Sequence, residues 1–127
     1  WKTSTGEVEN DLFDGIVVTA GVMSRKLAAK LGDRVNIYPV KGYSITVELK
    51  DAASQTAAPT VSLLDDAAKI VTSRLGTNRF RVAGTAEISG INYDIRSDRI
   101  APLTKWVETN FPDISTETVV DIYFVFR

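Results

Sequence analysis

The chain has 127 residues, 44% of them hydrophobic and 24% charged, and 15 basic against 16 acidic side chains leave a formal net charge of -1. That is one domain's worth of chain with an ordinary globular composition, and its charge balance exerts no long-range pull on nucleic acid, so none is expected as a partner. With no cysteine and no histidine, disulfides, thiolate nucleophiles, imidazole zinc sites and Ser-His-Asp catalysis are excluded, and no apolar run approaches the ~20 residues of a membrane span.

The opening "WKTSTGEVENDLFD" is polar and reads as a turn or edge hairpin, with Trp1 an exposed start. "GIVVTA" (15–20) is a β-branched run, the pattern of a strand buried on both faces. An amphipathic helix follows, with Met23, Leu27 and Leu31 along one stripe and Ser24 as N-cap. Gly32 suits the position after the C-cap, where a positive φ costs glycine little. Strand and helix make half of a βαβ unit, with a cofactor-facing corner at Thr19, Ala20 and Gly21.

In "GYSITVEL" Tyr43, Ile45, Val47 and Leu49 alternate with Ser44, Thr46 and Glu48, which predicts a half-exposed antiparallel strand. The polar "DAASQTAA" (51–58) reads as a connection, followed by strands at 59–65, 69–75 and 79–88, the last two joined by the "GTN" turn at 76–78. On the third of these, Phe80, Val82, Ala86 and Ile88 line one face and Arg81, Thr85 and Glu87 the other. Gly84 among them points to a bulge or to a close approach by another group. "SDRIAPLTKWVETNFP" is a helix that buries Ile100, Leu103, Val107 and Phe111, capped by Ser97 or Asp98, with Pro102 expected in its first turn and Pro112 ending it. In "TVVDIYFVFR" Ile122, Phe124 and Phe126 alternate with Asp121, Tyr123 and Val125, a strand expected to pair within the sheet or with a second copy of the chain. The sum is an α+β fold: a mostly antiparallel sheet with a long backing helix, plus a short α/β segment at the N-terminus.

Few residues declare chemistry. Asp65 and Asp66 read as a solvated turn rather than a catalytic pair. Arg74 and Arg81 carry forked donors that suit a carboxylate. Tyr43, directly after Gly42, is either a core aromatic or part of a ligand wall, and Lys41 qualifies as a Schiff-base lysine only if buried. There is no G-x-G-x-x-G and no phosphate-binding loop. From the residues alone the reading stops at an α+β ligand-binding or assembly domain.

"IVVTAGVMSRKLAAKLG", "VNIYPVKGYSITVEL" and "FRVAGTAEISG" followed by "IRSDRIAPLTKWVETNFP" resemble, in wording and order over residues 7–118, the D-amino acid dehydrogenase branch of the FAD-dependent D-amino acid oxidase-like family. The resemblance implies a two-domain enzyme much longer than this chain. A Rossmann-type domain holds FAD, and an antiparallel-sheet domain covers the flavin and forms the substrate pocket. The implied reaction oxidises a D-amino acid to an imino acid, which hydrolyses to a 2-oxo acid and ammonia, with electrons leaving for a respiratory acceptor. On this basis residues 1–38 correspond to the end of the FAD-binding domain, with Thr19, Ala20 and Gly21 beside the cofactor. Residues 39–127 correspond to the substrate domain, with Tyr43 and Arg74 as substrate-binding residues and Gly84 and Thr85 in a family "AGT" element. No catalytic residue and no metal site carries over.

The resemblance further implies a cytoplasmic enzyme, peripheral at the inner face of the cytoplasmic membrane, and the last strand admits a strand-mediated homodimer. Two family features have no counterpart: the glycine-rich phosphate fingerprint, and a "W-x-G-x-R-P" segment in whose place "TVVDIYFVFR" stands. The expectation is therefore an internal or truncated piece that binds no FAD and is inactive by itself. A non-enzymatic ligand-binding or assembly domain derived from the family is the alternative.

Overall fold

The computed structural model describes residues 4–8, 10–115, 117 and 119–126, with 120–126 as backbone only, so Trp1 and the side-chain alternation expected at 121–126 lie outside the described residues. The chain divides into two compact units, Trp1–Ile37 and Tyr38–Arg127.

In the first unit a 3-10 turn at Gly21–Met23 leads into α1, Ser24–Lys30. Ser24 is not the N-cap; it lies inside the helix start, where its Oγ accepts from the Ala20 N–H at 3.1 Å. The helix ends as expected at Gly32, φ +86°, in a Schellman arrangement: Gly32 N donates to Ala29 O at 3.3 Å and Asp33 N to Ala28 O at 3.0 Å. Residues 15–20, expected as a buried strand, are irregular, with Ile16 and Val17 exposed. A buried strand exists only through its neighbours' ladders, and no strand pairs with this segment among the described residues. Without a sheet beneath it, the Met23–Leu27–Leu31 stripe stays exposed as well.

The second unit is a five-stranded antiparallel sheet of order β2-β3-β4-β1-β5, formed by β1 (Lys41–Glu48), β2 (Leu64–Asp65), β3 (Ile70–Leu75), β4 (Arg79–Glu87) and β5 (Val119–Phe126). Helix α3, Ser97–Asn110, packs on one face. Leu103 and Val107 of α3, and Ile114 beyond its end, join Tyr43, Ile45, Val47, Leu49, Phe80 and Val82 in one core, so the α+β reading holds. Pro102 sits in the second turn of α3 rather than the first, and Arg96, not Ser97 or Asp98, is the N-cap residue. The polar connection at 51–58 contains a helix, α2 (Ala52–Ala57), started by a capping box: Ser54 N donates to Asp51 Oδ1 at 2.7 Å and Asp51 N to Ser54 Oγ at 3.3 Å. The strand expected at 59–65 survives only at Leu64–Asp65; at Leu63 the Thr72 N–H still donates to the Leu63 carbonyl at 2.9 Å, while the Leu63 N–H goes to the Thr72 hydroxyl at 3.2 Å. β5 pairs with β1 inside the sheet, from Lys41↔Phe126 to Val47↔Val119.

Gly84 marks a bulge. Gly42 and Tyr43 face Ala86 and Gly84, which leaves Thr85 as the extra residue, at φ +52°. One extra residue inverts the alternation downstream. Glu87, expected to face outward, is therefore buried beside Tyr43, and Ile88, expected inward, is 75% exposed.

Candidate functional site

The sheet has two unlike faces. On the α3 face stand Tyr43, Ile45 and Val47 of β1, Phe80 and Val82 of β4, and Ile70 and Thr72 of β3, all buried. On the other face the register aligns Gly42 with Ala86, Ser44 with Ala83, and Ser73 with Arg81, residues with at most a hydroxymethyl group apart from the arginine. That small-residue surface opens into a concavity of ≈ 730 Å³ whose lining includes Gly42, Ser44, Ser73, Arg81 and Ala83. A side chain at Gly42 would meet nothing within 4 Å, whereas one at Gly84 would meet Ile70 Cγ1 at 2.8 Å, Lys69 O at 3.1 Å and Leu103 Cδ2 at 3.2 Å. The close approach to Gly84 thus comes from the protein's own core, and the free space lies above Gly42. Ser44 and Thr46 were expected to be half exposed, but both are buried. β1 is flanked by β4 and β5, and Arg81 reaches across from β4 to donate from Nη2 to Ser44 Oγ at 3.1 Å.

Tyr43 and Arg74, the expected substrate residues, both lie on the α3 side of the sheet. Arg74 pairs in register with the core residue Phe80, one position out of phase with the Ser73–Arg81 pair. Its guanidinium is engaged with backbone carbonyls: Nη1 donates to Gln55 O at 3.0 Å and Ala58 O at 2.9 Å, Nη2 to Thr77 O at 2.5 Å, and Nε to Gly76 O at 3.2 Å. It clamps the end of α2 to the β3–β4 turn. Tyr43 belongs to the core, and its hydroxyl donates to Glu87 Oε2 at 2.5 Å.

Glu87 gathers a polar cluster that sequence reading missed. Arg96 Nη1 donates to its second oxygen, Oε1, at 3.2 Å, and Arg96 Nη2 donates to Asp98 Oδ2 at 2.7 Å, so the start of α3 is tied to the end of β4. The buried Lys41, which faces Glu87 in the ladder, donates from Nζ to the Asp94 carbonyl and lies over the Tyr43 ring, 5.1 Å from its centroid. The Tyr43 hydroxyl above all, and then the charges of Arg96 and Lys41, hold the Glu87 carboxyl below its ordinary range, although burial pushes the other way. The signal in the sequence was Gly84, since a bulge there reverses which side Glu87 takes.

Asp65 is likewise structural: Oδ2 accepts from Trp106 Nε1 at 2.8 Å and Oδ1 from Ala68 N at 2.9 Å, while Asp66 pairs with Lys69 at 2.6 Å. In the first unit Thr19, Ala20 and Gly21 are exposed. Gly21 has φ +54° with open space at its Cβ position, and the Ala20 N–H is already engaged with Ser24.

Residues 1–125 match the family described as "FAD dependent oxidoreductase". The chain belongs to that family. It is similar to "D-amino acid dehydrogenase 3" of Mesorhizobium japonicum, with 66% identity over 107 residues, 84% of this chain and 26% of that protein. It is also similar to the D-amino acid dehydrogenases of Rhizorhabdus wittichii, 43% identical over 88% of this chain and 25% of the relative, and of Bradyrhizobium diazoefficiens, 42% identical over 91% and 27%. The chain thus spans about a quarter of the length of these curated relatives. FAD is the cofactor of the family, and the open sheet face has unfilled space at Gly42. Residues for the cofactor's phosphates are another matter, because the sequence contains no G-x-G-x-x-G. No helix among the described residues is long and apolar enough to cross a membrane.

Proposed function

We propose that this chain supplies the substrate-side sheet of an FAD-dependent enzyme that oxidatively deaminates D-amino acids to 2-oxo acids and ammonia. The observation that carries the reading is the contrast between a sealed sheet face and an open one of small residues, in a chain whose relatives are named for D-amino acid dehydrogenation. FAD, when bound, accepts the two electrons lost from the Cα–N bond. The sheet's part is positional. Gly42, Ser44 and Ala83 keep a surface clear over which substrate and ring can approach, and the packed face behind holds that surface rigid. Tyr43 and Arg74 act from that packed side, Tyr43 by fixing Glu87 and Arg74 by holding α2 to the β3–β4 turn. Thr19, Ala20 and Gly21 lend exposed backbone near the cofactor in the first unit. In the same reading the electrons pass on to a respiratory acceptor at the inner face of the cytoplasmic membrane, and a homodimer, where one forms, joins through the outer edge of β5.

The test is anaerobic mixing of the full-length, FAD-loaded protein with D- and L-amino acids. Bleaching of the flavin band by D-amino acids, with one equivalent of 2-oxo acid and of ammonia released, is the expected outcome. A protein that takes up FAD stoichiometrically but is bleached by no D-amino acid contradicts the reading. A protein that takes up none favours a binding or assembly role.

A further inference from the structure

Among the described residues, two other than glycine have a left-handed backbone, Lys69 at φ +56° and Thr85 at φ +52°, and both line the open concavity. A β-branched residue in that region is strained, because its Cβ crowds a neighbouring carbonyl oxygen, and such strain persists only where surrounding contacts fix it. At Thr85 those contacts come from the packed side. Its hydroxyl donates to the Arg99 carbonyl of α3 at 3.1 Å. On one side of it, Gly84 lies so close to Ile70, Leu103 and the Lys69 carbonyl that a methyl group there is crowded. On the other, Glu87 is held by the Tyr43 hydroxyl at 2.5 Å and by Arg96 Nη1 at 3.2 Å. Pro102 has no N–H to give the Asp98 carbonyl, so the first turns of α3 carry one i+4 bond fewer and lean on these ties to the sheet. Thr85 thus belongs to the concavity wall and is bonded to the helix behind it. The register shows what the strained residue does. Gly42 pairs with Ala86 and Tyr43 with Gly84, so the extra residue turns Ala86 to the open side and Glu87 to the packed one. Plain alternation beyond Gly84 puts Glu87 on the concavity side instead. The charged residues lining the concavity are Lys69 and Arg81, both cationic, and a carboxylate turned in among them would pair with them and fill the space.

We propose that Thr85 is a positioning residue: held from α3, its strained bulge fixes the β4 wall of the concavity and keeps the Glu87 carboxylate out of it. This rests on the function proposed above and adds the element that keeps the open face in its working shape. Strain of this kind is a cost to stability that the site's geometry requires, so activity should follow the hydroxyl that anchors the bulge and not the melting temperature.

The experiment uses full-length, FAD-loaded protein carrying Thr85→Gly, which relaxes the backbone and deletes the hydroxyl, or Thr85→Ser, which keeps the hydroxyl. Steady-state kinetics with D-alanine are combined with titration of pyruvate, the 2-oxo acid of the same carbon skeleton, and with amide hydrogen exchange. In Thr85→Gly the strain relieved and the bond lost offset each other, so its melting temperature should stay within about 3 °C of the parent's. Its kcat should nevertheless fall by about 5- to 20-fold at full flavin occupancy, with pyruvate affinity changed by less than about 3-fold, because the wall orients rather than holds. Amides of residues 83–88 and of the first turns of α3 should exchange about 10-fold faster. Thr85→Ser should remain within about 2-fold of the parent in both kcat and exchange. An unchanged kcat in Thr85→Gly, an equal fall in Thr85→Ser, or a fall that merely tracks lost flavin or a lowered melting temperature overturns the proposal and leaves the proposed function standing. If the parent protein oxidises no D-amino acid, the function falls, and exchange still decides Thr85. Faster exchange in Thr85→Gly alone supports the tie between α3 and the concavity wall; equal exchange in all three proteins removes it.

Discussion

The two faces of one sheet differ in everything but their backbone. The α3 face is filled with large apolar side chains and closed by a helix; on the open face the described residues include glycine, alanine and serine together with Val71, Lys69 and Arg81. A strand's side chains alternate, so each strand writes both faces at once, and a change of one position moves a residue from one function to the other. Arg74 and Arg81 show the consequence: odd spacing alone would separate them, and the turn between their strands returns them to opposite sides. Stability and site construction are thus divided between faces. Substitutions can test that division by asking which face responds in stability and which in ligand binding.

The largest effect is expected on the packed face. Leu103→Ala removes a fully buried side chain that touches the sheet and should cost about 2–5 kcal/mol, read as a lowered denaturation midpoint of the full-length protein. Ser73→Ala on the open face should stay within about 0.5 kcal/mol. Equal costs for the two would erase the distinction between the faces.

Arg74→Ala follows. It strips four carbonyl contacts from the clamp between α2 and the β3–β4 turn, for an expected loss of about 1–3 kcal/mol. At full flavin occupancy its KM for D-alanine should equal that of the parent. A raised KM with normal stability would return Arg74 to the substrate and break the comparison.

The two glycines sharpen it. Gly84→Ala forces a methyl group to 2.8 Å from Ile70 and 3.1 Å from a backbone oxygen, and should cost about 1–3 kcal/mol of overpacking. Gly42→Ala enters empty space and should change stability by less than about 0.5 kcal/mol while narrowing the concavity. Thermal melts of the pair give the contrast, and pyruvate titration of Gly42→Ala shows whether the space above it is used.

The smallest effect concerns acid. Glu87 has its carboxyl held below the ordinary range by Tyr43, Arg96 and Lys41, so it binds a proton less readily folded than unfolded. Its contribution to stability is present above the unfolded carboxylate pKa and is lost as pH falls through the depressed folded value. Glu87→Gln should lower the melting temperature near pH 7 and flatten its fall between about pH 5 and about pH 3. Parallel acid limbs in parent and variant would show that the cluster does not hold the β4–α3 junction.

Much of the fold was legible because periodicity was strong. The alternation of Tyr43, Ile45 and Val47, the "GTN" turn and the Leu103–Val107 stripe each follow from local pattern, and each is present. α2 was missed although Asp51 and Ser54 stand at capping-box spacing, because its six residues are too short to show an apolar period. The strand expected at 15–20 failed for the converse reason: β-branched residues favour a strand only where neighbours complete its ladder. The site was less legible. Whether an arginine on a strand faces core or cavity depends on register, and the extra residue Thr85 moved Glu87 from the open side to the buried one without altering composition.

The central claim is that the open face is where chemistry happens. The measurement that tests it most directly is a crystal structure of the full-length protein with FAD and pyruvate bound. The account predicts the flavin ring and the pyruvate on the Gly42–Ser44–Ala83 side of the sheet, away from α3. A structure in which another part of the protein fills that face, and FAD and pyruvate bind away from it, would contradict the account.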